Sequence, residues 1–261
     1  MKFLKKALRI GLVLGFWIAV WAIASWIVAK PLLLPSPYRV LLALLEELKT
    51  PQFYSTTLLS LWNVMLGILI AVLGGTLLAC MTSYVRILRE LLLPVMSVIK
   101  ATPVASFIVL ALIWIGSSYV PTLITVLIVL PVVWTNRDVG FQRIDRGLSE
   151  LARVYRMPLG KRLRLLIFPS LSPYFSSAVR TSTGLAWKAG IAAEIIAMPR
   201  GTIGTMIGEA KQYIETPKMF AWTLTVILLS ILIECLFSFV FDRLSRQSKY
   251  TAKEEPAHAD A

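Results

Sequence analysis

Four ionisable side chains, Arg180, Lys188, Glu194 and Glu234, stand inside long apolar runs of this 261-residue chain. A charge at the centre of a bilayer costs roughly 2.5–3.5 kcal/mol or more, so each must face protein or water. Two chemistries follow. A lysine or arginine lining a wet path offers positive potential to an anionic solute. Alternatively the charges pair, Glu194 or Glu234 with a basic neighbour, and only hold helices together. Arg180, Trp187 and Glu194 recur every seven residues and share a helix face, whereas Lys188 lies roughly 80–120° off it. Arg180 also sits near one end of its run, where a long side chain snorkels to the interface. Lys100 precedes Thr102 and Pro103, and a proline there frees a backbone carbonyl, which is tolerated where it lines a wet cavity. The candidate pathway residues are thus Lys100, Thr102, Pro103, Ser106, Arg180, Lys188 and Glu194. A kink that serves packing is the alternative at Pro103.

Other chemistries lack their residues. The single histidine, His258, lies in a polar tail, which argues against a Ser-His-Asp or Cys-His mechanism and against zinc. The two cysteines, Cys80 and Cys235, lie inside apolar runs and do not suggest a disulfide framework. No clustered His, Cys or paired carboxylates points to an enzyme or a metal site. No G-x-x-x-x-G-K-[ST] occurs, since Gly160-Lys161 is followed by Arg162 and lacks the upstream glycine. ATP binding by a phosphate loop therefore needs a separate chain, and no cofactor is expected here.

The elements that must position these residues are membrane helices. The chain is 57% hydrophobic and only 16% charged, against about 25% charged in soluble domains. Six apolar runs approach the ~20 residues needed to cross the bilayer: about 8–29, 56–82, 101–118, 120–134, 172–198 and 219–241. The third has a helical approach from Leu88 broken by Pro94 and Pro103. The net charge of +13 would suggest nucleic acid on a soluble protein. Its distribution explains it otherwise. With the N-terminus cytoplasmic, eighteen of the 27 basic residues fall on inside segments, six outside and three in or near spans. That supports an N-in, C-in all-α membrane protein of six transmembrane helices, with no nucleic-acid partner. Residues 1–55 form an N-terminal span and an outer amphipathic segment, 56–243 the main transmembrane domain, and 244–261 a polar tail expected to be disordered. The tryptophans Trp17, Trp21 and Trp26 are expected to face lipid or the interface.

The largest block of charge lies between the fourth and fifth runs, at 137–170, and includes ELARVYRMPLGKRLRLLIFPSLSPYF from Glu150. Leu148, Leu151, Ala152 and Tyr155 fall at i, i+3, i+4 and i+7, and Leu159, Leu163, Leu166 and Ile167 form a second stripe. Pro158 and Pro169 bound the second helix. Helix, turn, helix on the cytoplasmic face is the expectation. Such a loop lies on anionic headgroups or docks a cytoplasmic partner.

At this point the chain resembles a known family. Glu150 and Ala152, followed at the right distance by Pro169, resemble the EAA motif of ABC-importer permeases, E-A-A-x3-G-x9-I-x-L-P. Leu151 replaces the middle alanine, Arg156 stands where the glycine is expected, and Leu166 and Phe168 replace Ile and Leu. Three further segments, LLPSPYRVLLALLEEL, LLPVMSVIKATPVASFIVLALIWIG and GLAWKAGIAAEIIAMPRGTIGTMI, resemble segments of permeases of the nitrate, sulfonate and taurine group, in the same order. The resemblance implies a type I ABC importer in the bacterial cytoplasmic membrane. Two permease copies would form the pathway as a homodimer, each docking an ABC ATPase subunit through a coupling-helix loop. An extracytoplasmic substrate-binding protein would deliver the solute. It places Glu150, Leu151, Ala152, Tyr155, Arg156, Pro158, Gly160 and Pro169 in the ATPase-coupling loop. The solute implied is a sulfonate, taurine or nitrate. A thiamine precursor or other heterocycle is the alternative within transport, and a membrane scaffold the alternative outside it.

Overall fold

The computed structural model describes residues 2–142, 147, 150, 152, 154–162 and 168–251. Every regular element among them is helical. Helix α1 (Lys2–Val28) ends at Ala29, whose φ of 49° is left-handed and whose N–H donates to Ser25 O at 3.1 Å. Helix α2 (Pro37–Leu48) and the long α3 (Pro51–Tyr84) start alike. A hydroxyl, Ser36 or Thr50, accepts from the backbone N–H three residues on, and a proline fills the first turn. That is the N-cap and N1 chemistry expected of such sequences. At about 1.5 Å per residue the 34 residues of α3 reach about 51 Å, well beyond the ~30 Å hydrocarbon layer.

Helices α4 (Arg86–Ala101) and α5 (Val104–Trp114) correspond to the third run. Here the structure bears out one of the two expected breaks and corrects the other. Pro94 breaks nothing, since α4 continues through it. The break falls at Thr102-Pro103, where the two helices bend by 104°. Thr102 takes ψ 132°, the extended conformation that a following proline imposes. With 11 residues α5 is too short to cross the bilayer by itself.

A 3-10 turn, Ser117–Tyr119, leads into α6 (Val120–Gln142). A short helix α7 (Leu159–Arg162) precedes α8 (Phe168–Ala197), α9 (Ile203–Gln212) and α10 (Thr216–Thr251). The last is continuous into the segment expected to be a disordered tail, and residues 252–261 lie outside those described.

Helix α6 is central, packed between α3 and α8. The core joins Val64, Ile68 and Ala71 of α3 to Val129 and Val133 of α6, Trp187 and Ile191 of α8, Ile203 and Met206 of α9, and Trp222 of α10. Phe53 stacks on Trp222 with ring centroids 5.0 Å apart, a geometry aromatic pairs favour. A second cluster seats Ile108 and Ala111 of α5 on Ile124 of α6 and Ala193 of α8. By contrast α1 stands apart, with no residue of Gly11–Val28 buried. Trp17 and Trp26 are exposed as expected, but Trp21 instead stacks on Phe220 of α10 at 6.0 Å.

Among the described residues four segments are long and apolar enough to cross a membrane, and the bent α4–α5 pair would make a fifth. The remaining candidate, α8, has 30 residues, about 45 Å of helix. It carries Arg180, Lys188 and Glu194 and packs against α6, α9 and α10.

Candidate functional site

The loop between α6 and α8 is built from its stems upward. Gly140 is buried near the end of α6, and a Cβ there would lie 2.9 Å from Leu171 Cδ2 and 3.1 Å from Tyr174 Cδ2 at the start of α8. The absent side chain lets the two stems touch, so the loop is anchored at both ends. Glu150, Ala152 and Val154 are helical, and Tyr155 and Arg156 form a turn. Ala152 is 5% exposed, whereas Tyr155 is 74% exposed. The apolar stripe expected to hold both therefore splits where the helix stops.

Arg156 takes φ 48°, and Met157 N–H donates to Ala152 O at 2.9 Å. This six-to-one bond over a left-handed residue is the Schellman motif, in which glycine is the usual occupant. Arg156 thus holds the backbone of the glycine it replaces in the motif. Glu150, Pro158 and Gly160 are exposed. Pro169 is the second residue of α8, where a missing N–H costs little. Leu151 lies outside the described residues, as do Leu148, Leu163, Leu166 and Ile167.

The expected pathway residues separate into three groups. Near the α4–α5 bend, Lys100 Nζ donates to Thr135 Oγ1 of α6 at 2.7 Å, and Thr135 in turn donates to Pro131 O. Thr102 Oγ1 donates back to Val98 O at 2.8 Å, closing the last turn of α4, while Pro103 and Ser106 are exposed. On α8, Arg180 donates to Ser238 O of α10 at 3.3 Å and thereby ties the two helices. Lys188 is exposed and forms no ion pair among the described residues. The pairing of Lys188 with Glu194 or Glu234 is not found.

Glu194 forms the third group, alone and fully buried at 0% exposure. Its Oε2 accepts from Ser60 Oγ of α3 at 2.8 Å and from Gly204 N–H of α9 at 3.0 Å. Ser60 Oγ also accepts from Ile203 N–H at 2.9 Å. The first N–H groups of α9, which no helix can satisfy internally, are thus capped by side chains of two other helices. Gly204 is required, because a Cβ there would collide with Glu194 Cβ and lie 2.6 Å from Ile195 N. Ser60 and Gly204 escaped the sequence reading. The ten-residue spacing from Glu194 to Gly204 is local, but Ser60 is 134 residues away, and nothing in its own segment marks it.

The family described as binding-protein-dependent transport system inner membrane component matches residues 63–246. Among similar proteins is one named an aliphatic sulfonates transport permease, SsuC, of Bacillus subtilis. It is 25% identical, with 78% of this chain and 74% of that protein covered. The taurine transport system permease TauC of Escherichia coli is 26% identical, with 82% and 80% covered. The nitrate import permease NrtB of Synechococcus elongatus is 26% identical, with 79% and 77% covered. A crystal structure of an amino acid ABC transporter with histidines shares the fold, with a TM-score of 0.60 over 76% of this chain and 94% of that one at 18% identity. The family match spans α3 to α10, the same helices that carry the anchored loop and the buried carboxylate. The chain belongs to the binding-protein-dependent permeases, the multi-pass cytoplasmic-membrane subunits of ABC importers.

Proposed function

We propose that this chain is the permease subunit of an ATP-driven importer for a small organic or inorganic anion, of the sulfonate, taurine or nitrate type. It works as one of two identical copies with six membrane segments each, N- and C-termini inside. The observation that carries the reading is Lys188, an exposed cation on α8 with no acidic partner among the described residues. A lone ammonium at membrane depth is costly unless it meets water or an anion. The names of similar permeases point the same way, to sulfonates, taurine and nitrate.

ATP is bound by a partner subunit that receives the Glu150–Pro169 loop. The turn at Arg156 and the stem contact at Gly140 support that role. A stroke passed from one polypeptide to another needs a short element that does not flex, fixed at both ends to spans. The solute arrives on an extracytoplasmic binding protein. Reconstitution in vesicles with the ATPase and binding protein tests the reading. Uptake of taurine, nitrate or ethanesulfonate that requires internal ATP is expected, and a complex that moves none of the three anions rejects the anion assignment.

A further inference from the structure

The buried carboxylate of Glu194 is not needed to attract an anion and is closed off from any path. Three helices nonetheless meet on it. Its Oε2 takes the Ser60 hydroxyl and the Gly204 N–H, Ser60 takes the Ile203 N–H, and Oε1 is buried beside them. Burial of a carboxyl is tolerated where donors compensate it, and the donors recruited here are the capless first amides of α9. The first turn of α9 is therefore held from α3 and α8.

The surroundings are rigid too. Met198, the αL residue that ends α8 at φ 47°, donates to Glu194 O at 2.8 Å. Thr202 and Thr205 share a hydrogen bond and both bond Pro199 O. At the far end α9 stops in a second Schellman turn, Glu215 N–H to Ala210 O at 2.8 Å, over Ile214 at φ 59°. Tyr213 and Ile214 are both mostly exposed there. Lys218 holds Glu47 of α2 at 3.0 Å and Glu215 at 4.0 Å, fixing the turn to its neighbours.

We propose that Glu194 is a positioning residue. With Ser60 it locks α9 to α3 and α8, so that α9 and the spans move as one body and contact with the binding protein at α9 is transmitted to the membrane helices. This rests on the topology proposed above, in which α9 is extracytoplasmic. The test uses the reconstituted complex with its ATPase. Basal ATP hydrolysis is measured, and the binding protein is titrated in separate series loaded with taurine, nitrate or ethanesulfonate. Ser60→Ala and Glu194→Leu are expected to raise the concentration giving half-maximal stimulation about tenfold, with basal hydrolysis within about twofold of wild type. Glu194→Gln keeps a carbonyl that accepts from Ser60 and Gly204 and should restore the wild-type value to within about threefold. Unchanged half-maximal concentrations in the first two variants overturn the proposal, as does a parallel loss of basal and stimulated rates or a Gln variant as impaired as Leu. If Glu194→Leu does not assemble, Ser60→Ala, which removes one oxygen, decides. A wild-type complex that no binding protein stimulates would instead reject the importer reading, and this one with it.

Discussion

Arg156 holds a backbone conformation that suits glycine, and that departure is informative about the loop. An L-residue in the left-handed region pays roughly 1–2 kcal/mol, whereas glycine pays about 0.5–1 kcal/mol in lost freedom. Arg156→Gly should therefore leave thermal stability nearly unchanged, and Arg156→Val, β-branched at φ 48°, should lower it by about 1–2 kcal/mol. Melting of the purified permease measures both, and a glycine variant far less stable than wild type would show that the arginine side chain itself holds the turn. Glu150 is exposed on the same loop. Glu150→Lys should abolish ATP-coupled uptake with membrane insertion intact, read by uptake and by membrane fractionation; normal uptake removes the docking role. The Glu-to-Pro spacing was legible in the sequence. The left-handed turn was not, because an arginine gives no local signal for positive φ. Glu194 was legible as a charge in an apolar run, but its partners were not, since a hydroxyl 134 residues away becomes a neighbour only through helix packing.

Among the elements, the α4–α5 pair shows where local rules decide and where they do not. Both Pro94 and Pro103 remove a helical N–H. Pro94 is exposed, and α4 absorbs it. At Pro103 the preceding Thr102 is extended and its hydroxyl caps the finished helix. The sequence announces two breaks, and only the one at Pro103 is realised. Pro103→Ala should let the helix propagate and open the 104° bend, while Pro94→Ala leaves it unchanged. Spin labels on α4 and α5 read the distance, and equal distances in Pro103→Ala and wild type would place the cause of the bend in packing instead. On α8 the same limit applies to Lys188. Helix periodicity separated it from the face of Arg180, Trp187 and Glu194, yet whether it was paired depended on helices far away in the chain. If it meets the solute, Lys188→Gln should raise the KM for the anion by about tenfold, the equivalent of about 1.4 kcal/mol, while Lys188→Arg keeps most of the affinity. A uniform loss of folded protein in both variants would identify Lys188 as structural.

At the scale of the whole molecule, the distribution of charge and the exposure of three tyrosines make the orientation measurable. Positive residues concentrate on the segments expected inside, among them the loop that holds Tyr155, while α2 and the end of α9, which carry Tyr38 and Tyr213, are expected on the opposite side. All three are well exposed, at 69% for Tyr38, 74% for Tyr155 and 74% for Tyr213, so none needs the fold to open for a reagent to reach it. With Cys80 and Cys235, the free cysteines, replaced by alanine, single cysteines at these three positions report the topology in intact cells. A membrane-impermeant maleimide should label positions 38 and 213, and position 155 only after the membrane is permeabilised. Labelling of 155 from outside with 38 and 213 protected would invert the protein, placing the Glu150–Pro169 loop where no ATPase could meet it. Labelling of 38 and 155 from the same side would mean an even number of crossings between them. That count depends on the bent α4–α5 pair. With α3 and α6 each crossing once, position 155 lies opposite position 38 only if the pair crosses as well, and a re-entrant pair would return both to one side. The three positions therefore decide orientation and the role of the bend together.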